Sequence, residues 1–188
     1  TVSGSYTYNG SIQTVTLVGL ESYMSVAGNK ATNAGSYEVV VTLDNNHKWA
    51  QGNDGVVAWS IAKANASLSV EDLEVELGAE IVVSYTTSSN GQVTIKFYQN
   101  DVEVTPDATG EYKVVVSVAE GDNHKAVEAE ATLNIILSAT SVELSKDSTT
   151  INVGENETIE NTVNPVGTTD EVVITSSNEA VATMDRNG

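Results

Sequence analysis

Apolar and polar residues alternate in many short runs along this chain, and this period of two constrains the fold more than any other feature. It places successive side chains on opposite faces of a β-strand. The runs are rich in β-branched and aromatic residues and are bounded by Gly, Asn, Asp and Ser, which is typical of strands separated by turns. Strands are predicted at 12–17, 37–43, 73–77, 93–97, 102–104, 112–118, 151–153 and 172–174.

Two Asn-Gly dipeptides predict hairpin turns between these strands. They are Asn9-Gly10 and Asn90-Gly91. Both central residues of a type I′ turn need positive φ, which Asn and Gly adopt more readily than other residues. Helix signals are nearly absent and turns recur at short intervals, so we expect an all-β chain of antiparallel sandwiches.

An internal repeat divides the chain. Three segments recur at a nearly constant offset, so only the loop lengths differ between the copies, and such repeats decide the architecture. We expect the copies to superpose as two modules, 1–62 and 63–135, joined through residues 62–64 with hardly any linker. The matching pairs are 35–42 with 110–117, Asn46-His47-Lys48 with Asn123-His124-Lys125, and 59–61 with 133–135.

Each repeated strand opens with Gly-x-Tyr. Gly35 precedes Tyr37 and Gly110 precedes Tyr112. Gly takes the turn conformation, while the Tyr ring points into the core and its hydroxyl ties back to the preceding loop. This arrangement resembles the tyrosine corner of immunoglobulin-like sandwiches. We therefore expect tandem immunoglobulin-like antiparallel β-sandwiches.

The first module is similar to a known kind of bacterial repeat. Segments 6–10, 34–39 and 59–64 look like the glycine-rich immunoglobulin-like repeats, the MBG type, of large bacterial surface proteins. The resemblance extends over residues 1–135 through the internal repeat. It implies the fold and nothing else.

Residues 136–188 resemble the group 2 bacterial immunoglobulin-like domain, the BIG2 family. The similarity lies in segments 141–144, 151–155, 162–165 and 173–185, with Ile174 where the family usually has Trp. Asn187-Gly188 falls where the closing strands should begin, so we expect an incomplete sandwich whose apolar face needs cover. The resemblance implies adhesion or spacer roles, by analogy of fold.

Charge limits the partners of this chain. Eight basic against 26 acidic side chains give a net charge of −18, which disfavours nucleic acid and direct membrane insertion. The absence of cysteine, in modules of this kind, points to bacterial modules stabilised by packing alone. No signal peptide opens at Thr1, so we expect an internal start. The expected location is extracellular, on the bacterial cell surface or secreted.

Few residues suggest chemistry. His47 and His124 occupy equivalent positions in the two repeats, and neither has convergent partners nearby in sequence apart from scattered Asp and Asn, which favours a shared loop role over a ligand role. Asp72, Glu74 and Glu76 line one face of a strand. Calcium needs about six oxygens around one point, so a solvated face is favoured over a weak cation site.

The two tryptophans receive different interpretations. Trp59 alternates with Val57 and Ile61, which predicts a core position. Trp49 follows a predicted loop and is the candidate ligand contact, because sugars stack on exposed aromatic rings, although covering the end of a sandwich is the competing interpretation. The chain has no catalytic or cofactor motif. We predict no enzymatic activity, no cofactor and no bound metal.

These observations favour one function and leave two alternatives open. The leading hypothesis is a non-catalytic spacer or adhesin segment of a bacterial extracellular surface protein. The alternatives are a carbohydrate-binding accessory module of a secreted carbohydrate-active enzyme, and a phage or virion surface module. A surface polysaccharide or a host protein is the expected partner class, and we expect a monomeric, elongated array.

Overall fold

The computed structural model describes residues 4–185, and every regular element within that range is a β-strand. The predicted all-β class is therefore confirmed. The strands are β1 (Tyr6–Thr7), β2 (Gln13–Thr14), β3 (Met24–Ala27), β4 (Lys30–Ala31), β5 (Gly35–Leu43), β6 (Val56–Ala62), β7 (Leu68–Val70), β8 (Leu73–Glu76), β9 (Tyr85–Thr87), β10 (Val93–Gln99), β11 (Val102–Val104), β12 (Gly110–Val118), β13 (Val127–Ile136), β14 (Ser141–Leu144) and β15 (Asn161–Asn164).

The first larger sheet has the strand order β1-β6-β5-β3. β5 pairs antiparallel with β3 and β6, whereas β1 runs parallel to β6. Alternation along β5 and β6 buries one face, as the period of two predicts. A small sheet of β2 and β4 shares the same core, because Val15, next to β2, packs with the buried residues of β5 and β6. This core consists of Val15, Val39, Val41, Trp59 and Ile61.

The second larger sheet has the order β8-β13-β12-β10-β11. Its first strand in the chain, β8, runs parallel to its last, β13, just as β1 runs parallel to β6. β10 and β11 pair antiparallel. The buried side chains here come mainly from β12 and β13 and include Tyr112, Val114, Val116, Leu133 and Ile135.

The remaining strands form two small antiparallel sheets, β7 with β9 and β14 with β15. By its contacts the chain divides into two compact units. One contains residues 4–71, 84–96 and 115–130, and the other contains 72–83, 97–114 and 131–185. β10, β12 and β13 contribute residues to both units. The units do not coincide with the modules 1–62, 63–135 and 136–188, which therefore stay a prediction.

Neither Asn-Gly dipeptide forms the predicted hairpin. Around Asn9-Gly10, β1 pairs with β6 and β2 pairs with β4. The side-chain oxygen of Asn9 instead accepts a hydrogen bond from the Ser11 amide at 3.0 Å, which forms an Asx turn. Asn90-Gly91 connects β9 and β10, which belong to different sheets. An Asn-Gly dipeptide tolerates positive φ, but it does not determine which strands pair beside it.

A two-residue hairpin turn does occur, at Asn100-Asp101. It joins β10 to β11, with Gln99 opposite Val102. Asn100 and Asp101 have φ values of 51° and 63°, the positive values that a type I′ turn requires at both central residues. Asn and Asp enter this left-handed region more easily than other side chains because their short polar groups bond locally.

Two predicted strands are absent, and the first is much shorter than predicted. The run 12–17 yields only β2, while 151–153 and 172–174 form no strand. Alternation alone does not make a strand, since a strand needs a neighbour to pair with and a core to cover. Within residues 137–185 only β14 and β15 pair. The open face expected of an incomplete sandwich stays a prediction. The exposed large apolar side chains in this range are Val142, Leu144, Ile151, Val153, Val166, Val173, Ile174, Val181 and Met184.

Two glycines with similar backbone conformations provide a test of the first core. Gly10 and Gly28 have φ of +78° and +77°. A Cβ on Gly10 would meet nothing within 4 Å, whereas one on Gly28 would lie 2.2 Å from the carbonyl oxygen of Glu38. Gly10→Ala is expected to cost only the left-handed strain, about 1–2 kcal/mol. Gly28→Ala is expected to cost about 3 kcal/mol or more, because backbone must also move.

Urea unfolding followed by tryptophan fluorescence measures both variants. Equal losses of unfolding free energy would show that the backbone around Gly28 accommodates a Cβ without further cost.

Candidate functional site

A set of polar contacts surrounds the connection between the two sequence repeats. The Tyr8 amide donates to the Ala62 carbonyl at 2.8 Å. Two residues later, the Ala64 amide donates to the Asn123 carbonyl at 3.0 Å, and the Lys125 amide donates to the Ala64 carbonyl at 2.9 Å. The connection is therefore bonded through its backbone to the first repeat on one side and to residues 123–125 on the other.

The side chains of residues 120–125, which we call the junction segment, reach the first repeat. Oδ1 of Asn123 accepts a hydrogen bond from the Ala34 amide at 2.8 Å. Nδ2 of Asn123 donates to Oδ1 of Asn33 at 3.3 Å. The His124 ring meets the Tyr8 ring edge-on, with the centroids 5.3 Å apart and the planes at 82°. One amide thus satisfies a backbone donor and a side-chain acceptor on the same turn.

Charge reinforces the junction segment. Lys63 Nζ donates to Glu120 Oε1 and to the Gly121 carbonyl, each at 2.6 Å. The carboxamide of Asn90 donates to Asp122 Oδ2 at 2.6 Å and accepts from the Asp122 amide at 2.9 Å. The segment is held from the linker and from the β9–β10 connection at once. All of these contacts lie within one compact unit.

A polar cavity of about 770 Å³ opens beside the junction segment. Carboxamide, carboxylate and ammonium groups line it, and most of them bond to one another as described above. Such a lining can hydrogen-bond hydroxyl or amide groups but holds no nucleophile paired with a base. Across residues 4–185, no group of three or more His, Cys, Asp and Glu residues is arranged to hold a metal ion. The polar lining comprises Asn33, Lys63, Asn90, Gln92, Glu120, Asp122 and Asn123.

The two histidines have different partners. His47 stacks on Tyr23, with the ring centroids 3.8 Å apart, and its Nδ1 lies 2.5 Å from Asp44 Oδ1. The hydrogen bond with His47 lowers the pKa of Asp44. His124, in contrast, contacts Tyr8. Both histidines follow a nine-residue strand, β5 or β12. The expected superposition of His47 on His124 stays a prediction.

The three carboxylates of the acidic face form a row of separate contacts. Asp72 Oδ1 accepts from the Thr132 amide at 2.6 Å, and Glu74 Oε2 accepts from Asn134 Nδ2 at 3.0 Å. Glu76 accepts from the amide and the hydroxyl of Ser138. Each acid therefore has its own donor on or just after β13. The row points along the strand, and its oxygens do not converge on one point.

The tryptophans differ in burial. Trp59 is buried, and its Nε1 donates to the Gly28 carbonyl at 3.1 Å, so the predicted core position is confirmed. Trp49 is half-buried against the first core. Its ring packs over Gly55, where an added Cβ would lie 2.7 Å from the ring. Trp49 therefore covers the edge of the core, and its role as a ligand contact stays a prediction.

Sequence reasoning missed the junction site. The repeated tripeptide includes Asn123 and the short linker includes Lys63, but neither pattern predicts that these two residues lie at one site. The absence of a flexible linker was the available signal, because a short connection brings the residues on either side of it together.

No helix within the described part of the chain is both long and apolar enough to cross a membrane.

The Lys63 contacts generate a stability prediction. Lys63→Met keeps most of the aliphatic stem but removes the donor to Glu120 and to the Gly121 carbonyl. An exposed ion pair alone contributes little, so the expected loss of unfolding free energy is about 1 kcal/mol, mainly from the charged hydrogen bond to the carbonyl. Lys48→Met, at an exposed position, is the matched control, with an expected change within about 0.5 kcal/mol.

Chemical denaturation at fixed pH and salt measures both lysine variants. Identical free energies of unfolding for Lys63→Met and the unmodified chain would show that the contacts of Lys63 do not stabilise the site.

Comparison with known proteins adds no family to this geometry. No protein-family model matches the chain. A search of curated proteins finds no match either. The similarities to MBG-type repeats and to the BIG2 family therefore remain expectations from the residues quoted for them.

Proposed function

We propose that this chain is a non-catalytic spacer or adhesin segment of a bacterial extracellular surface protein. In this proposal it consists of tandem immunoglobulin-like sandwiches at 1–62 and 63–135, followed by a BIG2-like segment at 136–188. The supporting observation is the strand order common to both larger sheets. Reading each from its first strand, the orders are β1-β6-β5-β3 and β8-β13-β12-β10-β11, which correspond over four strands.

The two sheets also agree in detail. β5 and β12 are each nine residues long and begin at a glycine with positive φ, Gly35 or Gly110. The hydroxyl of Tyr37 donates to the Asn33 carbonyl at 2.7 Å. The hydroxyl of Tyr112 donates to the carbonyl of Ala108 at 2.9 Å, again four residues earlier. The predicted tie of each tyrosine to its preceding loop is confirmed, and this supports a duplicated module.

The distribution of charge fits a segment that separates and presents other domains. A net charge of −18 keeps such chains apart from one another and from anionic surfaces. Carboxylates at the junction and on β8 are engaged with donors of this same chain. The polar groups described above thus serve the architecture, which favours a spacer or adhesin over an enzyme.

Pulling the chain from its two ends in a force spectrometer tests the modular organisation. Two unfolding events are expected, which release roughly 200 Å for 1–62 and roughly 250 Å for 63–135, since an extended residue spans about 3.3–3.6 Å. A single event that releases both lengths together would contradict two independent sandwiches.

A binding measurement separates the proposal from the carbohydrate-binding alternative. Insoluble polysaccharides such as cellulose, xylan, chitin and peptidoglycan are incubated with the chain, with Trp49→Ala and with Trp49→Phe. For a spacer or adhesin segment, the three proteins should sediment alike with each polymer. Saturable binding that is lost in Trp49→Ala and kept in Trp49→Phe would support an accessory module instead, because Phe preserves a stacking ring.

A further inference from the structure

We propose that the junction segment is a docking element, by which the second repeat recognises the turn that precedes the Gly-x-Tyr strand of the first. The partner surface consists of Asn33, Ala34 and Tyr8. This inference rests on the proposed tandem organisation and adds how consecutive modules engage. It assigns Asn123 the central role, because its one carboxamide bonds both to a backbone donor and to a side-chain acceptor of the partner.

The chemistry of Asn123 makes the contact selective. Oδ1 needs a donor, which the Ala34 amide provides, and Nδ2 needs an acceptor, which Asn33 Oδ1 provides. A carboxylate at this position would retain the first bond, lose the second and face the oxygen of Asn33. Truncating the Asn123 side chain to the methyl group of alanine would leave the part-buried Ala34 amide without its partner. The free-energy cost of that loss exceeds the net value of a hydrogen bond.

The backbone around the linker supports the docking. Ala64 pairs in parallel with His124 through two hydrogen bonds, so both the amide and the carbonyl of Ala64 are satisfied by protein. A flexible linker would leave these groups to water. The linker therefore forms backbone hydrogen bonds between the repeats, and its conformation is more restricted than that of a flexible linker.

The first repeat provides an internal comparison. Its matching tripeptide, Asn46-His47-Lys48, lies after β5 as Asn123-His124-Lys125 lies after β12. There the histidine stacks on Tyr23 and contacts Asp44, both within the same repeat. The histidine of this tripeptide thus contacts its own repeat in the first copy, whereas in the second copy the asparagine and the histidine contact the other repeat. The difference makes Asn46→Ala a matched control for Asn123→Ala.

Amide hydrogen exchange on the full chain, read residue by residue by NMR, tests the proposal. In Asn123→Ala the exchange rate of the Ala34 amide should rise by about tenfold, the equivalent of one lost hydrogen bond. The amides of Val39 and Val41 in the first core should keep their rates, and Asn46→Ala should leave the Ala34 rate unchanged. In Asn123→Asp the exchange rate of the Ala34 amide should lie between its rates in the unmodified chain and in Asn123→Ala, because aspartate keeps the side-chain acceptor.

Other outcomes decide against the proposal. An unchanged Ala34 rate in a folded Asn123→Ala would overturn it, as would an equal rise in Asn46→Ala. If Asn123→Ala does not fold, His124→Ala replaces it: the ring-proton shifts of Tyr8 should move and those of Tyr23 should not, and unmoved Tyr8 signals would overturn the docking. A single unfolding event in the pulling experiment would contradict the tandem modules but not the docking contact. The exchange rate of the Ala34 amide does not depend on the number of unfolding events.

Discussion

Pairing between the first and the last strand of each larger sheet is the constraint on which the structure depends. β6 and β13 would otherwise form sheet edges with unpaired backbone groups, which are costly when buried and prone to association when exposed. Parallel partners β1 and β8 cover them. Because the connection between the repeats starts where β6 ends, closing the first sheet also fixes where the second repeat begins.

The long strands were predictable because their own residues determine them. β5 and β12 combine a glycine turn, an inward tyrosine and a run of valines, and the alternating burial of Trp59 and Ile61 follows from the pleat. Local chemistry and the tertiary fold agree at these positions. The tyrosine hydroxyl bonds were predictable for the same reason, since each joins residues only four apart.

What sequence could not provide was the identity of strand partners. Asn90-Gly91 has good hairpin chemistry, but its flanking strands lie in different sheets, while Asn100-Asp101 forms the two-residue turn with less typical residues. The junction contacts of Asn123 join residues about ninety positions apart. No local pattern reports such a contact, because its energy depends on where distant loops meet.

The acidic row on β8 has a consequence for molecules crowded together on a surface. β8 lies at the edge of its sheet, where a neighbouring chain could add a strand. Asp72, Glu74 and Glu76 are bonded to donors on or just after β13, so their charges stay beside that edge. A second acidic molecule approaching there meets like charge before it can form backbone bonds. Chains packed closely together would therefore be kept from pairing with one another at this edge.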